Sequence, residues 1–261
     1  MNTKQAEVQF VNPRRKFTKN MEWNIPFRWL SAGWADLWLY PATSLLYGSF
    51  IFLLSVLVIY VLFIINAEYL IFSAFAGFMI IGPALALGLY EKSRRISERE
   101  TVSMAKMLSI RGKTLGQILL IGVVLGLIMV MWLRAAFLLY ALFFGMVPFS
   151  GFDHIISAVF STPTGWALLV VGSAVGGLFA SFSFAVSAFS IPMLLDKKVD
   201  AFTAMGTSMA LAWHNMKVAI VWGVIVLTLF LLCLATGLFG LVIIFPWLGH
   251  STWHAYKEIG C

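Results

Sequence analysis

Charge is what this sequence has least of: 11% of its 261 residues are Asp, Glu, Lys or Arg, where a soluble domain carries about 25%. Mean hydropathy is +0.93, and a soluble single domain is excluded. Period-two alternation of apolar and polar residues is missing as well, which excludes a transmembrane β-barrel. Cysteine occurs twice: Cys233 falls inside an apolar run and Cys261 is the last residue, so neither a structural disulfide nor a thiol-based site is expected. Acidic residues are absent from the apolar runs, which removes the usual proton-relay pattern of transporters. Walker loops, dinucleotide fingerprints and a hydrolase constellation are not found, so no enzyme and no cofactor are expected.

What is present is a series of apolar runs, each long enough to cross a hydrocarbon core of about 30 Å as a helix. The fold class expected is all-α: a polytopic transmembrane helical bundle with spans near 44–65, 69–90, 117–140, 166–194, 218–236 and 239–256. Residues 1–26 read as a cytoplasmic tail and 27–258 as one six-helix domain. The first 40 residues are polar or interfacial, so no cleavable signal peptide is expected. The stretch from Val218 to Tyr256 is too long for one crossing, and Gly237 and Gly240 mark a turn within it. The final segment either spans or re-enters.

Net charge is +7, and its distribution points to membrane orientation instead of nucleic acid. Lys4, Arg14, Arg15, Lys16, Lys19 and Arg28 precede the first span. Lys92, Arg94, Arg95, Arg99, Lys106, Arg111 and Lys113 separate the second and third. Lys197, Lys198 and Lys217 separate the fourth and fifth, and Lys257 follows the sixth. The intervening loops contain none, so the basic side is expected to be cytoplasmic, with both termini on it. The partners this implies are the lipid bilayer and, for an accessory protein, other membrane proteins.

Paired as three hairpins, the spans suggest a weak repeat. Each hairpin follows a stretch with apolar residues at helical spacing: Phe27, Leu30, Trp34 and Leu37; Val102, Ala105 and Leu108; Phe202, Met205, Met209, Trp213 and Met216. Such stretches suit interfacial helices on the inner leaflet. Each return helix carries a proline: Pro83, Pro192 and Pro246. A proline frees a backbone carbonyl that needs a partner in protein or at a wet cavity. The three breaks thus either line a central site or serve packing alone.

Arg134 is the single cation inside an apolar run. It lies about 17 residues beyond Gln117, roughly 25 Å at 1.5 Å per residue, near the outer boundary. It either snorkels, pairs with Glu68 or Asp153, or binds an anion. Gly172, Gly176 and Ala180 recur at four-residue spacing, a stripe suited to close helix packing or to a dimer seam. His250 and His254 share one helix face, the spacing of a metal or haem edge, although a competent metal site needs further ligands. Histidines at an interface beside Trp and Tyr otherwise bond to water and headgroups.

Three segments close the return helices: Gly82-Pro83-Ala84-Leu85-Ala86-Leu87-Gly88-Leu89-Tyr90-Glu91, Ile191-Pro192-Met193-Leu194-Leu195-Asp196, and Leu248-Gly249-His250-Ser251-Thr252-Trp253-His254-Ala255-Tyr256. Together they resemble a bacterial family of predicted integral membrane proteins that carries only a domain-of-unknown-function label, some members being labelled putative cytochrome c oxidase proteins. The resemblance runs from about Trp34 to Tyr256. It implies a bacterial inner-membrane location and transfers no catalytic residue. Four histidines with no adjacent pair argue against a catalytic oxidase subunit. The functional expectation is a non-enzymatic accessory, assembly or envelope factor, with a small-molecule or lipid transporter as the alternative and haem or metal binding as a third.

Overall fold

The computed structural model describes residues 21–109, 112–145 and 159–260. Asp153, His154 and most of the 1–26 tail lie outside them. Among the described residues the regular elements are helices, with no strand. In chain order they are α1 (Ile25–Trp38), α2 (Pro41–Ile64), a short 3₁₀ turn (Glu68–Leu70), α3 (Ile71–Leu85), α4 (Leu87–Ser97), α5 (Met104–Leu108), α6 (Gly112–Phe144), α7 (Pro163–Ser187), α8 (Ser190–Asp196), α9 (Ala201–His214), α10 (Met216–Ala235) and α11 (Leu241–Ile259).

Five segments are long and apolar enough to cross a membrane: α2, α3 with α4 (Ile71–Ser97), most of α6 (Thr114–Phe144), α7 with α8 (Pro163–Asp196), and α10. The chain is therefore a helical integral membrane protein. The sixth span expected from the sequence, α11, is 19 residues long but does not meet the hydropathy of a span. Its second half carries His250, Ser251 and Thr252, which are buried in the protein, and His254, Lys257 and Glu258, which are part-exposed and bonded to Asp36, Asp196 and Trp29.

α11 is the hub of the bundle, packed against α1, α2, α4 and α10. Gly48 of α2 lets it come close: a Cβ there would stand 2.2 Å from the Val242 carbonyl oxygen and 2.9 Å from Pro246 Cγ. Val242 is four residues before Pro246, so its carbonyl is the one the proline leaves without a helical donor. Gly33 of α1 makes a second close crossing, its position for a Cβ lying 2.1 Å from Ser251 Oγ. The turn into α11 has φ of 59° at Gly237 and 70° at Leu238, and Phe239 stacks on Phe52 at 4.8 Å. Phe52 lies about twelve residues before the end of α2, roughly 18 Å along a helix. The third hairpin therefore turns well short of the far end of the first. α11 then returns to the basic face, where Lys257 Nζ meets Asp196 at 3.2 Å, Lys197 Nζ donates to the Gly260 carbonyl at 3.0 Å and Trp29 Nε1 donates to Glu258 at 2.7 Å.

The helices expected before each hairpin are present as α1, α5 and α9. The stripe read for α1 divides: Leu37 is buried while Phe27 and Trp34 are exposed, and the buried face is Trp29, Gly33, Asp36 and Leu37. α1 is docked on α11, with Gly33 at the close approach. In α9 the large residues Phe202, Met209 and Trp213 face outward, and Ala201, Ala204, Ser208 and Leu211 face the bundle. That arrangement leaves an apolar outer surface suited to the interfacial zone.

Candidate functional site

The prolines break two of the return helices, and neighbouring hydroxyls satisfy backbone around the breaks. α3 gives way to α4 at Ala86, three residues after Pro83; Ser183 Oγ donates to the Ile80 carbonyl at 2.9 Å and Tyr47 OH to that of Leu85 at 2.7 Å. α7 gives way to α8 just before Pro192. There Ser208 of α9 accepts from the Phe189 N–H at 3.2 Å and donates to the Ala185 carbonyl at 2.7 Å, bridging the break. Pro246 leaves α11 unbroken and packs at Gly48.

Between α3, α6 and α7 on one side and α10 and α11 on the other is a cavity of about 1250 Å³ that is open along its outer side, where Phe137, Trp213, Ile220 and Leu231 are exposed. Its walls run from Trp213 and Met216 at the basic face to Leu70, Tyr140 and Leu234 at the far end. Pro83 lines it; Pro192 and Pro246 do not. Gly172, Gly176 and Ala180 line it too. A Cβ at Gly172 or at neighbouring Gly177 would meet nothing within 4 Å, whereas one at Gly176 would stand 2.9 Å from Trp132. Only the middle of that stripe is therefore in tight contact with the described residues, and the rest opens on the cavity. Trp132 is itself fixed by its indole N–H, which donates to the Ser73 carbonyl at 3.0 Å. The walls are otherwise chiefly Leu, Ala, Phe and Gly, with Tyr90 and Thr252 near the basic end.

Behind that wall, on the opposite side of α4 and α11, lies a buried polar relay that the sequence reading did not assemble. Lys92 is wholly enclosed and donates to Ser44 Oγ at 2.6 Å and to the Tyr40 carbonyl at 3.2 Å. Ser44 Oγ lies 2.9 Å from His250 Nε2, and His250 Nδ1 lies 2.8 Å from Ser93 Oγ. Ser93 donates to Asp36 Oδ2 at 2.6 Å, which is also 2.9 Å from His254 Nε2. Donor accounting fixes the direction, because an ammonium only donates and a carboxylate only accepts. Ser44 receives from Lys92 and gives its hydrogen to Nε2; Nδ1 carries the imidazole hydrogen and gives it to Ser93; Ser93 gives to Asp36. His250 is thus neutral between a cation and an anion, and the buried charges of Lys92 and Asp36 balance. Burial alone would raise the Asp36 carboxyl; the bonds from His254 and Ser93, with the two imidazoles nearby, outweigh it and hold the group below its ordinary 3.8.

The relay places a serine between histidine and lysine, the ingredients of a nucleophile. Ser44, however, is fully buried, so no reactant reaches it. Both ring nitrogens of His250 and the Nε2 of His254 are committed to hydrogen bonds, and no cluster of three or more metal-ligating groups occurs among the described residues. Arg134 is exposed on α6, and no ion pair joins it to Glu68 among the described residues. Its other candidate partner, Asp153, lies outside them. Lys92 counted in the sequence only as a loop cation; the signal that marks it is its position on the helical continuation of an apolar span.

The fold and the cavity define a polytopic helical membrane protein. Residues 70–196, just under half of the chain, match the family model described as "Predicted integral membrane protein (DUF2189)". The match contains the first two of the three quoted segments and ends before the third. Comparison with curated proteins and with solved structures finds no match.

Proposed function

We propose that this protein binds the acyl chain of a membrane lipid in the cavity between its second and third hairpins, as a non-enzymatic lipid-handling protein of a bacterial inner membrane. The observation that carries the reading is the apolar cavity of about 1250 Å³, walled by spans and running along the length of α10. Ligand pockets are commonly about 300–1,000 Å³ and mostly apolar, and the medium around these spans is lipid. The distribution of Lys and Arg supports a cytoplasmic basic face with both termini on it, α11 completing the sixth passage.

Gly172→Leu and Gly177→Leu test this directly, because each adds bulk where a Cβ meets nothing. Native mass spectrometry of gently purified protein should show retained phospholipid in the wild type and several-fold less in both variants, with helicity by circular dichroism unchanged. Equal retention in wild type and filled variants would remove the reading. The accessory role is separated in the same preparation: a stoichiometric protein partner, with no retained lipid, favours it.

A further inference from the structure

We infer that the lipid in the cavity comes from the leaflet opposite the basic face and is held by its ester carbonyls, which accept hydrogen bonds from Ser73, Ser173 and Tyr140. This placement rests on the cavity reading above and adds the class of the ligand and its direction. Away from water a hydroxyl costs free energy unless it is hydrogen-bonded, and most serines of the spans are. Ser55 Oγ donates to the Ile51 carbonyl at 2.8 Å, Ser183 to that of Ile80 at 2.9 Å and Ser187 to that of Ser183 at 2.7 Å. Ser73, Ser173 and Ser181 line the cavity, and their hydroxyls have no partner among the described residues. Outside the cavity the span serine of that kind is Ser49. The Tyr140 hydroxyl, also in the lining, is likewise without a partner, while its ring stacks on Phe144 at 5.2 Å.

Ser73, Ser173 and Tyr140 belong to the far part of the cavity. Ser73 is in the first turn of α3, and its carbonyl accepts the Trp132 indole N–H at 3.0 Å. The Trp132 ring stands 2.9 Å from the position of a Cβ at Gly176, one turn from Ser173. Tyr140 follows Trp132 on α6 toward the far face. α7 lines the cavity from Leu168 to Ala188, roughly 30 Å at 1.5 Å per residue, so Ser173 lies close to its far end. The lining hydroxyls of the basic end are already used: Thr252 Oγ1 donates to the Leu248 carbonyl at 2.8 Å, and Tyr90 bonds to Thr252. Among the described residues no Asp, Glu, Lys or Arg lines the cavity. A phosphate headgroup therefore stays outside it, at the far face, and the tails run toward the basic end. The exposed Phe137 and Leu231 mark the opening at the far level, through which chains pass sideways from that leaflet. A hydroxyl lacking an acceptor has a hydrogen to donate, and a carbonyl oxygen only accepts. A diacyl glycerophospholipid brings two carbonyls at the head of its chains, and a few placed polar groups in an apolar pocket fix orientation.

The test compares a diester phosphatidylethanolamine with the diether of the same chains, which lacks the carbonyls, counting each lipid retained on the full-length protein by native mass spectrometry. One net hydrogen bond changes an equilibrium by about two- to twelve-fold, so wild type should retain the diester several-fold over the diether. Ser73→Ala, Ser173→Ala and Tyr140→Phe should each cut that ratio by about two-fold or more. Ser181→Ala, about 12 Å further toward the basic face, should leave it unchanged. A diester lipid with a photoreactive diazirine at its chain ends reads the direction, with cross-links expected on α7 beyond Ala180 and on α10 before Val226. Equal retention of diester and diether by wild type overturns the inference and leaves the cavity reading standing. A ratio that is unaltered in the first three variants, or that falls only in Ser181→Ala, does the same, as do cross-links confined to the far end around Leu70 and Leu168. No retention of either lipid by wild type overturns both.

Discussion

Lys92 lies at zero exposure on a helix that continues an apolar span, and its charge is tolerated because Asp36 balances it through Ser44, His250 and Ser93. Removing one member of a buried charge pair costs about 3–5 kcal/mol, since the other is left uncompensated, whereas replacing both is often neutral. Lys92→Met and Asp36→Asn should each lower stability by about that amount, and the double variant should recover a large part of it. Unfolding of the three variants in mixed micelles measures this, and purely additive losses would show that the two charges act separately. Asp36 also sets an acid limit. Its carboxyl titrates below the ordinary 3.8, so the stability it contributes is fully present above that value and is lost as the pH falls through the lowered pKa. The stability difference between wild type and Asp36→Asn should therefore hold at pH 5 and shrink below about pH 3.8.

At the scale of elements, the two close crossings of α11 depend on glycines. Gly48→Ala forces a methyl into the space 2.2 Å from the Val242 carbonyl oxygen, and Gly33→Ala meets Ser251 Oγ at 2.1 Å and its backbone nitrogen at 2.5 Å. Because the obstacles include backbone, neither contact is relieved by a rotamer change. Overpacking of this kind costs about 1–3 kcal/mol, and thermal unfolding of the two variants should show losses in that range or above. Gly172→Ala is the matching control: its Cβ meets nothing, and a helical alanine is about 1 kcal/mol better than glycine, so it should leave stability equal or raised. The hairpin repeat was partly legible. The helices before each hairpin and two of the three proline breaks appear where residue spacing places them, but α5 is a single short helix and α11 carries its proline without a break.

For the molecule as a whole, the third hairpin turns beside Phe52, deep against the first hairpin, while Asn66 is exposed at the end of the first. In a background with Cys233 and Cys261 replaced by serine, Asn66→Cys should react with a membrane-impermeant thiol reagent from the side opposite Lys198→Cys. Phe239→Cys should react much more slowly than either. Fast labelling of all three would place the turn in water and give the last hairpin full length. Labelling of Asn66→Cys and Lys198→Cys from one side would contradict the orientation drawn from the basic residues.

Composition and spacing alone determined that the chain is helical, that it crosses a membrane several times and that one face is basic, because the thickness of the hydrocarbon core and the cost of a charge within it act on every run independently of its neighbours. They also located the prolines, the small-residue stripe and the histidine pair. Only the tertiary structure decided what those residues face. Gly172 opens on a cavity instead of a neighbour, and His250 joins Ser44 and Ser93 instead of a metal. Asp36, which lies before the first span, enters the protein interior because Gly33 allows α1 to cross α11. Such contacts join residues more than 150 positions apart in sequence, and no local periodicity encodes which face of one helix meets which face of another.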